Sequence, residues 1–238
     1  VDILAEVKGT VSEILAKHDE RGKLHGIVRK LQLEKVLDRK MNQLSGGELQ
    51  RVAIALAVNR KADFYFIDEP SSYLDVFQRL QAAKLIKELA KTAAVIVVEH
   101  DLATLDFLAD RIHVLYGAPG VFGVVSKTYS TRTGINAFLD GYLKEDNMRM
   151  RKEKIDFSSC RLATTAKEEI YLEWGEISKK LGNFSLYVFP GFVRKGEILG
   201  LFGSNALGKT TFAKILAGEL KPDTGEIKQT VRISYKPQ

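Results

Sequence analysis

Apolar residues recur at helical spacing from the start of the chain: Val11, Ile14 and Leu15, then Leu24, Ile27, Val28 and Leu31. Residues 1–43 therefore read as helices, broken at the polar stretch around residues 19–22. A Ser-Gly-Gly start leads into a further helix over residues 45–60. The pattern then changes to short unbroken apolar runs. Residues 64–67 (Phe-Tyr-Phe-Ile) end in Asp-Glu-Pro and residues 93–98 end in Glu-His, and both predict buried parallel strands. Between them, Leu80, Leu85, Ile86 and Leu89 mark a helix over residues 74–90. Residues 102–109 predict a short helix and residues 112–116 a third strand. The alternation of strands and helices predicts an α/β fold around a parallel sheet.

The pattern weakens after Tyr116. Residues 117–130 are rich in Gly, Val and Ser, and residues 134–161, with dense charge over 144–154, read as a connector. Strands return over 184–189 and 197–202. The second enters a glycine loop, followed by a helix over 210–217 and a last strand over 231–235. The chain stops at Lys236-Pro237-Gln238 without a closing element. Three segments are expected: 1–130, a connector over 131–175, and 176–238.

Composition narrows the class. The chain has 238 residues, 45% hydrophobic and 28% charged, enough apolar material for one large or two small domains. No run of 18 apolar residues is present, and the acidic start lacks the basic region and apolar core of a signal peptide. The single cysteine, Cys160, excludes an internal disulfide framework and a multi-cysteine metal site. A soluble, cytoplasmic protein is expected. The net charge of +6 is uneven: residues 1–140 carry 19 basic and 18 acidic side chains, residues 141–238 carry 17 and 12. Residues 17–40 hold a further basic cluster. Such patches suit phosphate backbones, and equally a solvated helical face.

Four motifs carry chemistry. Gly203-Ser204-Asn205-Ala206-Leu207-Gly208-Lys209-Thr210 fits GxxxxGK[ST] between a predicted strand and helix. The backbone N–H groups of such a loop and the helix N-terminus cradle a β-phosphate. Lys209 neutralises β/γ-phosphate charge, and the Thr210 hydroxyl, with waters and phosphate oxygens, suffices for Mg²⁺. Second, Leu44-Ser45-Gly46-Gly47-Glu48-Leu49-Gln50-Arg51 opens a helix at a Ser cap, where free N–H groups and the helix dipole suit a γ-phosphate; an ordinary helix start reads the same way. Third, residues 64–67 deliver Asp68 and Glu69 to a strand's C-terminal edge. There Asp68 reaches Mg²⁺ through water and Glu69 polarises the attacking water as general base; alternatively the pair caps the next helix. Fourth, His100 ends the next strand in reach of a γ-phosphate, or serves structure alone.

In this order the motifs resemble the ATP-binding-cassette (ABC) ATPases, over nearly the whole chain. The resemblance implies a P-loop NTPase fold and ATP hydrolysis with Mg²⁺. It makes Ser45, Gly46, Gly47 and Glu48 the signature, Asp68 and Glu69 the Walker B pair, and Ser72 to Asp75 the D-loop, with Asp75 near nucleotide. His100 becomes the switch histidine, Gly203 to Thr211 the Walker A loop (Thr211 included), and Gln238 the Q-loop glutamine. Thr210, Gln238 and Asp68 would hold Mg²⁺. Ser204 and Ala206 depart from the usual Pro and Gly of the loop. Leu181 stands where an aromatic often stacks adenine, and Phe184 is the candidate substitute.

In one cassette Walker A precedes the signature; here it follows by about 150 residues. The resemblance therefore implies the back part of one cassette, a hinge, and the front part of another; a circular permutant is the less economical reading. In tandem cassettes a signature faces the other cassette's Walker A, so neither site is complete and poor hydrolysis by this piece alone is expected. LSGGELQR, DEPSSYLDV from Asp68, VEHDL from Val98, GINAFLDGY from Gly134 and the charged connector resemble the ribosome-recycling ATPases of archaea and eukaryotes, the RNase L inhibitor family, with an archaeal member indicated. That implies splitting of ribosomes into subunits, with the small subunit, rRNA, a release-factor-like protein and the other half of each cassette as partners, and no membrane. It also implies iron–sulfur clusters on a domain whose cysteines are not in this chain. The alternatives are a nucleotide-binding subunit of a membrane ABC transporter and a non-catalytic ATP-gated scaffold.

Overall fold

Thr10 caps the first helix, α1 (Val11–Lys17): its hydroxyl accepts the Glu13 N–H, and the Glu13 carboxylate accepts the Thr10 N–H. Val11, Ile14 and Leu15 share one face and are buried. After the polar break, α2 (Leu24–Lys30) buries Ile27 and Val28. Two short 3₁₀ turns, Glu34–Val36 and Met41–Gln43, lead to α3 (Gly46–Asn59). The structure, a computed structural model, describes residues 6–156, 169–229 and 233–236. It divides into two units, residues 1–160 and 161–238.

In the first unit β1 (Phe64–Asp68) leads to α4 (Val76–Leu89) and then β2 (Ala94–Val98). The strands pair in parallel, from Phe64 opposite Ala94 to Asp68 opposite Val98. Tyr65 and Ile67 join the apolar faces of α1 to α4 in one core. The strands are not buried on both faces as the apolar runs predict. Phe64 and Phe66 are 53% and 61% exposed, against 6% for Tyr65 and Ile67. Among the described residues the helical core covers one side of the two-stranded sheet only, so a continuous apolar run alternates in burial.

The expected third strand is split and does not join β1 and β2. After α5 (Leu102–Leu108), β3 (Arg111–Ile112) pairs antiparallel with β6 (Tyr129–Ser130). β4 (Leu115–Ala118) turns back on β5 (Phe122–Val125), giving order to the stretch expected to be loose. At the break the Ser126 hydroxyl accepts the Val114 N–H at 2.8 Å, and its carbonyl bonds His113 Nδ1 at 2.8 Å. These bonds stand in for a strand ladder. Part of the expected connector is also ordered: α6 (Thr131–Asp140) is tied to the end of α5 by the Thr131 hydroxyl on the Ala109 carbonyl, 2.6 Å. It ends at Gly141 and is followed by the hairpin β7 (Tyr142–Leu143) and β8 (Met148–Arg149). Val114, Tyr129 and Leu143 form a small core with Phe138 and Met150.

In the second unit β9 (Ile170–Trp174) is the middle of a three-stranded antiparallel sheet, flanked by β12 (Gly191–Arg194) and β13 (Ile227–Gln229). β10 (Ile177–Leu181) and β11 (Phe184–Val188) form a hairpin. α7 (Lys209–Leu216) packs Ile215 into the core, and the Phe212 ring meets the Trp174 ring edge-on at 5.4 Å. The strand expected over 197–202 is not formed. Ile198 and Phe202 are 89% and 87% exposed, and no described strand pairs with this run; a strand is made by its neighbours, whatever its apolar content. The strand expected at 231–235 begins outside the described residues, as do Cys160 and Gln238.

Candidate functional site

Ser45 holds extended backbone and caps α3 reciprocally with Glu48. The Glu48 carboxylate accepts the Ser45 N–H and hydroxyl, both at 2.8 Å, and Arg39 approaches at 3.4 Å. Burial pushes the Glu48 carboxyl up, but these bonds and the Arg39 and Arg51 charges outweigh it, and it sits below the usual carboxylate range. The first-turn N–H groups of Gly46 and Gly47 have no partner within the helix. Both glycines lie against Tyr73: a Cβ on Gly47 would stand 2.9 Å from the Tyr73 carbonyl oxygen. The cap thus occupies Glu48 internally, and the N–H groups it leaves without a helical partner are those of the half-buried Gly46 and Gly47.

Asp68 ends β1 in an exposed position, and Glu69 follows with φ +45°. The Glu69 N–H donates to the Val98 carbonyl at 2.9 Å, extending the parallel ladder by one residue. That brings the ends of β1 and β2 together. The Glu69 carboxylate meets His100 Nε2 at 2.9 Å on one oxygen and accepts the Ser72 hydroxyl at 2.9 Å on the other. Since the partner is a carboxylate, His100 carries its proton on Nε2. Both side chains are open to solvent.

Several residues around this pair were not singled out from the sequence. Glu99 accepts the Ser71 hydroxyl at 2.6 Å and the N–H groups of His100 and Asp101 at 3.1 and 3.2 Å. Gln50 Nε2 donates to the Glu69 carbonyl at 2.9 Å. Arg79 Nε donates to the Leu74 carbonyl at 2.9 Å, and its guanidinium pairs with Asp101 at 2.7 Å. Asp75, which the sequence did single out, caps α4 by accepting the Gln78 N–H. The available signal was position: Glu99 adjoins His100, and Gln50 lies one turn beyond the Ser-Gly-Gly start.

In the second unit the glycine loop takes left-handed backbone at Gly203, Ala206 and Gly208, with φ of +151°, +61° and +89°. Lys209 Nζ donates to the Gly203 and Ser204 carbonyls, both at 2.6 Å, folding the ammonium over its own loop. Gly208 caps α7, and the Phe212 N–H donates to its carbonyl at 2.8 Å. A Cβ on Gly208 would stand 2.8 Å from the Phe184 ring, so Phe184 lies directly against the loop. Ser204, Asn205, Ala206, Leu207 and Thr210 are exposed, and Thr211 is half-buried. The loop and Phe184 are thus brought together, as are Ser45 to Glu48, and Asp68, Glu69 and His100.

The sequence profile of the ABC transporter family matches residues 4–72 and 191–236. An uncharacterised ABC transporter ATP-binding protein of Methanocaldococcus jannaschii is 52% identical over all of this chain and 40% of its own length. Translation initiation factor RLI1 of Saccharomyces cerevisiae is 47% identical over 89% of this chain and 35% of its own. In a crystal structure of an archaeal ribosomal stalk protein bound to the archaeal ribosome recycling factor aABCE1, a chain matches with TM-score 0.91 and 51% identity, over 99% of this chain and 46% of that one. The chain spans about two-fifths of the length of these curated relatives. No helix among the described residues is long and apolar enough to cross a membrane. By these likenesses the chain belongs to the ABC ATPases, in the RNase L inhibitor family.

Proposed function

We propose that this chain supplies parts of the ATP sites of an ATPase that splits ribosomes into subunits. The observation that carries the catalytic reading is the Glu69–His100 contact of 2.9 Å, at the C-terminal ends of two parallel strands. Ligands of α/β sheets bind at that edge. Each Glu69 oxygen has one hydrogen-bond partner and keeps a second lone-pair direction for a water. Glu69 takes the proton of that water as it attacks a γ-phosphate, and His100 holds the carboxylate in place and reaches the same phosphate. Gly46 and Gly47 present first-turn N–H groups to a γ-phosphate beside the Ser45–Glu48 cap, with Asp75 near the nucleotide. In the second unit Gly203 to Thr211 cradle the β-phosphate, Lys209 exchanges its loop carbonyls for phosphate oxygens, and Phe184 stacks the adenine.

Mg²⁺, when bound, withdraws charge from the phosphate oxygens. Each unit has its own exposed oxygen donor suited to a hard cation that keeps its waters, Asp68 at the end of β1 in the first and Thr210 at the start of α7 in the second; Gln238 is the third candidate. The two cassettes of the full-length protein flank residues 131–175 as hinge. The names of the relatives support the ribosome over a membrane partner: a matching archaeal structure is of ribosome-bound Pelota and ABCE1. The small subunit, its rRNA and a release-factor-like protein are the partners we assign, in the cytoplasm, with any iron–sulfur domain outside this chain.

The test is steady-state ATP turnover of the full-length protein. Glu69→Gln lowers it by about 100-fold or more, and parental turnover in that variant refutes the role of Glu69. Sedimentation with small ribosomal subunits and a non-hydrolysable ATP analogue tests the partner; association unaffected by nucleotide refutes it.

A further inference from the structure

We infer that Gln50 is a positioning residue that couples the start of α3 to the backbone of Glu69; this rests on Glu69 being the general base. Gln50 is buried on α3, five residues beyond the Ser45 cap, and its amide donates to the Glu69 carbonyl at 2.9 Å. That carbonyl belongs to a residue held at φ +45°, where a side-chain-bearing residue is strained. On its other side the Glu69 N–H is held by the Val98 carbonyl at 2.9 Å. One flanking peptide group of Glu69 is thus fixed by β2 and the other by α3. Relaxing Glu69 to right-handed backbone turns its carbonyl away from Gln50 and swings its carboxylate away from His100 and Ser72.

The same helix is anchored at its own first turn. Arg51 Nε donates to the Gly47 carbonyl at 3.2 Å, and its guanidinium holds the Leu31 and Gln32 carbonyls at 2.8 and 3.0 Å. A rotation of α3, such as occupancy of its N-terminal turn would bias, therefore moves Gln50 as part of a rigid element. A directional bond transmits that rotation to Glu69 more sharply than an apolar contact would, because hydrogen bonds weaken steeply with angle. Neither His100 nor Ser72 lies on α3, so Gln50 is the link between that helix and the carboxylate's own residue.

The test uses the full-length protein and two substitutions that keep the side-chain length. Gln50→Met removes the donor; kcat falls about fivefold to tenfold while KM for ATP stays within about twofold. In a Glu69→Gln background the same substitution changes the residual rate by less than about twofold, because its effect runs through Glu69. Gln50→Glu can donate only as the carboxylic acid. Its turnover relative to the parent rises as pH falls from about 8 to about 6, and Gln50→Met shows no such rise. Equal losses from Gln50→Met in both backgrounds, an unchanged kcat, or a Gln50→Glu profile parallel to the parent's overturns the coupling. Should Gln50→Met fail to fold, the Gln50→Glu profile decides. If Glu69→Gln abolishes turnover and Gln50→Met leaves it intact, the coupling alone fails. If Glu69→Gln keeps parental turnover, the role of Glu69 fails and the coupling with it.

Discussion

Two adjacent glycines at the start of α3 differ in what surrounds them, and the difference sets a quantitative expectation. A Cβ on Gly47 would stand 2.9 Å from the Tyr73 carbonyl oxygen, a backbone atom. That oxygen cannot yield freely. Tyr73 is held at φ +63°, the next residue, Leu74, is buried in the core, and the Leu74 carbonyl is bound by Arg79 at 2.9 Å. A Cβ on Gly46 meets the Tyr73 ring instead, nearest atom 3.3 Å. The ring is exposed and can turn aside. Overpacking against fixed neighbours costs about 1–3 kcal/mol, while replacing glycine by alanine in a helix gains at most about 1 kcal/mol, and less in the first turn. Gly47→Ala is therefore destabilising by about 1–2 kcal/mol, and Gly46→Ala neutral or stabilising by up to about 0.5 kcal/mol.

Both positions lie in the proposed nucleotide site, so activity does not separate steric from catalytic effects; stability does. Thermal unfolding followed by far-UV circular dichroism gives the comparison. At about 2–4 °C per kcal/mol for a chain of this size, Gly47→Ala unfolds several degrees below Gly46→Ala. Equal midpoints, or a Gly47→Ala variant above the parent, refute the claim that the Tyr73 backbone is pinned.

Ser45→Ala removes the hydroxyl that bonds Glu48 and caps α3, and lowers unfolding free energy by about 1 kcal/mol in denaturant titration. Ala206→Gly relieves the left-handed backbone at φ +61° and raises stability by about 1 kcal/mol, read as slower amide exchange across residues 203–208. For Asp101, burial raises the carboxyl, but the Thr104 bonds and the Arg79 charge outweigh it, and the folded value lies below the ordinary one. Its contribution is present above the unfolded value of about 3.9 and is lost as pH falls through the folded value. Arg79→Met therefore flattens the acid limb of stability below about pH 4, as measured by acid titration of the circular dichroism signal.

Glu69 and His100 were legible as separate candidates because each follows an apolar run; their contact is a finding of the structure, since residues beyond the ends of parallel strands meet when the strands pair in register. Asp68 opposite Val98 supplies that register. Gln50 and Glu99 were not legible in the same way. Each acts across 19 to 28 residues on a backbone group or a hydroxyl, and no periodicity marks a residue whose partner is a carbonyl or an N–H elsewhere. The run over 197–202 shows the opposite failure. Its apolar content predicts a strand, but pairing is a property of two segments, and no described strand lies beside it. The predicted strand over 112–116 broke for a local reason, the Ser126 hydroxyl taking the Val114 N–H.

The segment from Glu69 to Asp75 belongs to no helix or strand, yet it carries most of the proposed catalytic geometry of the first unit. Two of its residues, Glu69 and Tyr73, hold left-handed backbone at about 1–2 kcal/mol each. Against that strain stand side-chain hydrogen bonds along the whole segment: Gln50 to the Glu69 carbonyl, His100 and Ser72 to the Glu69 carboxylate, Glu99 from both the hydroxyl and the N–H of Ser71, Arg79 to the Leu74 carbonyl, and the reciprocal Asp75–Gln78 cap. At about 0.5–1.5 kcal/mol net apiece, they offset the strain together. Bonds from side chains to backbone can hold an irregular segment in one shape, where a ladder would impose a regular one. Loss of the Gln50 bond weakens the hold on the left-handed backbone of Glu69 itself, so removing a residue that is no candidate nucleotide ligand displaces the carboxylate proposed as general base.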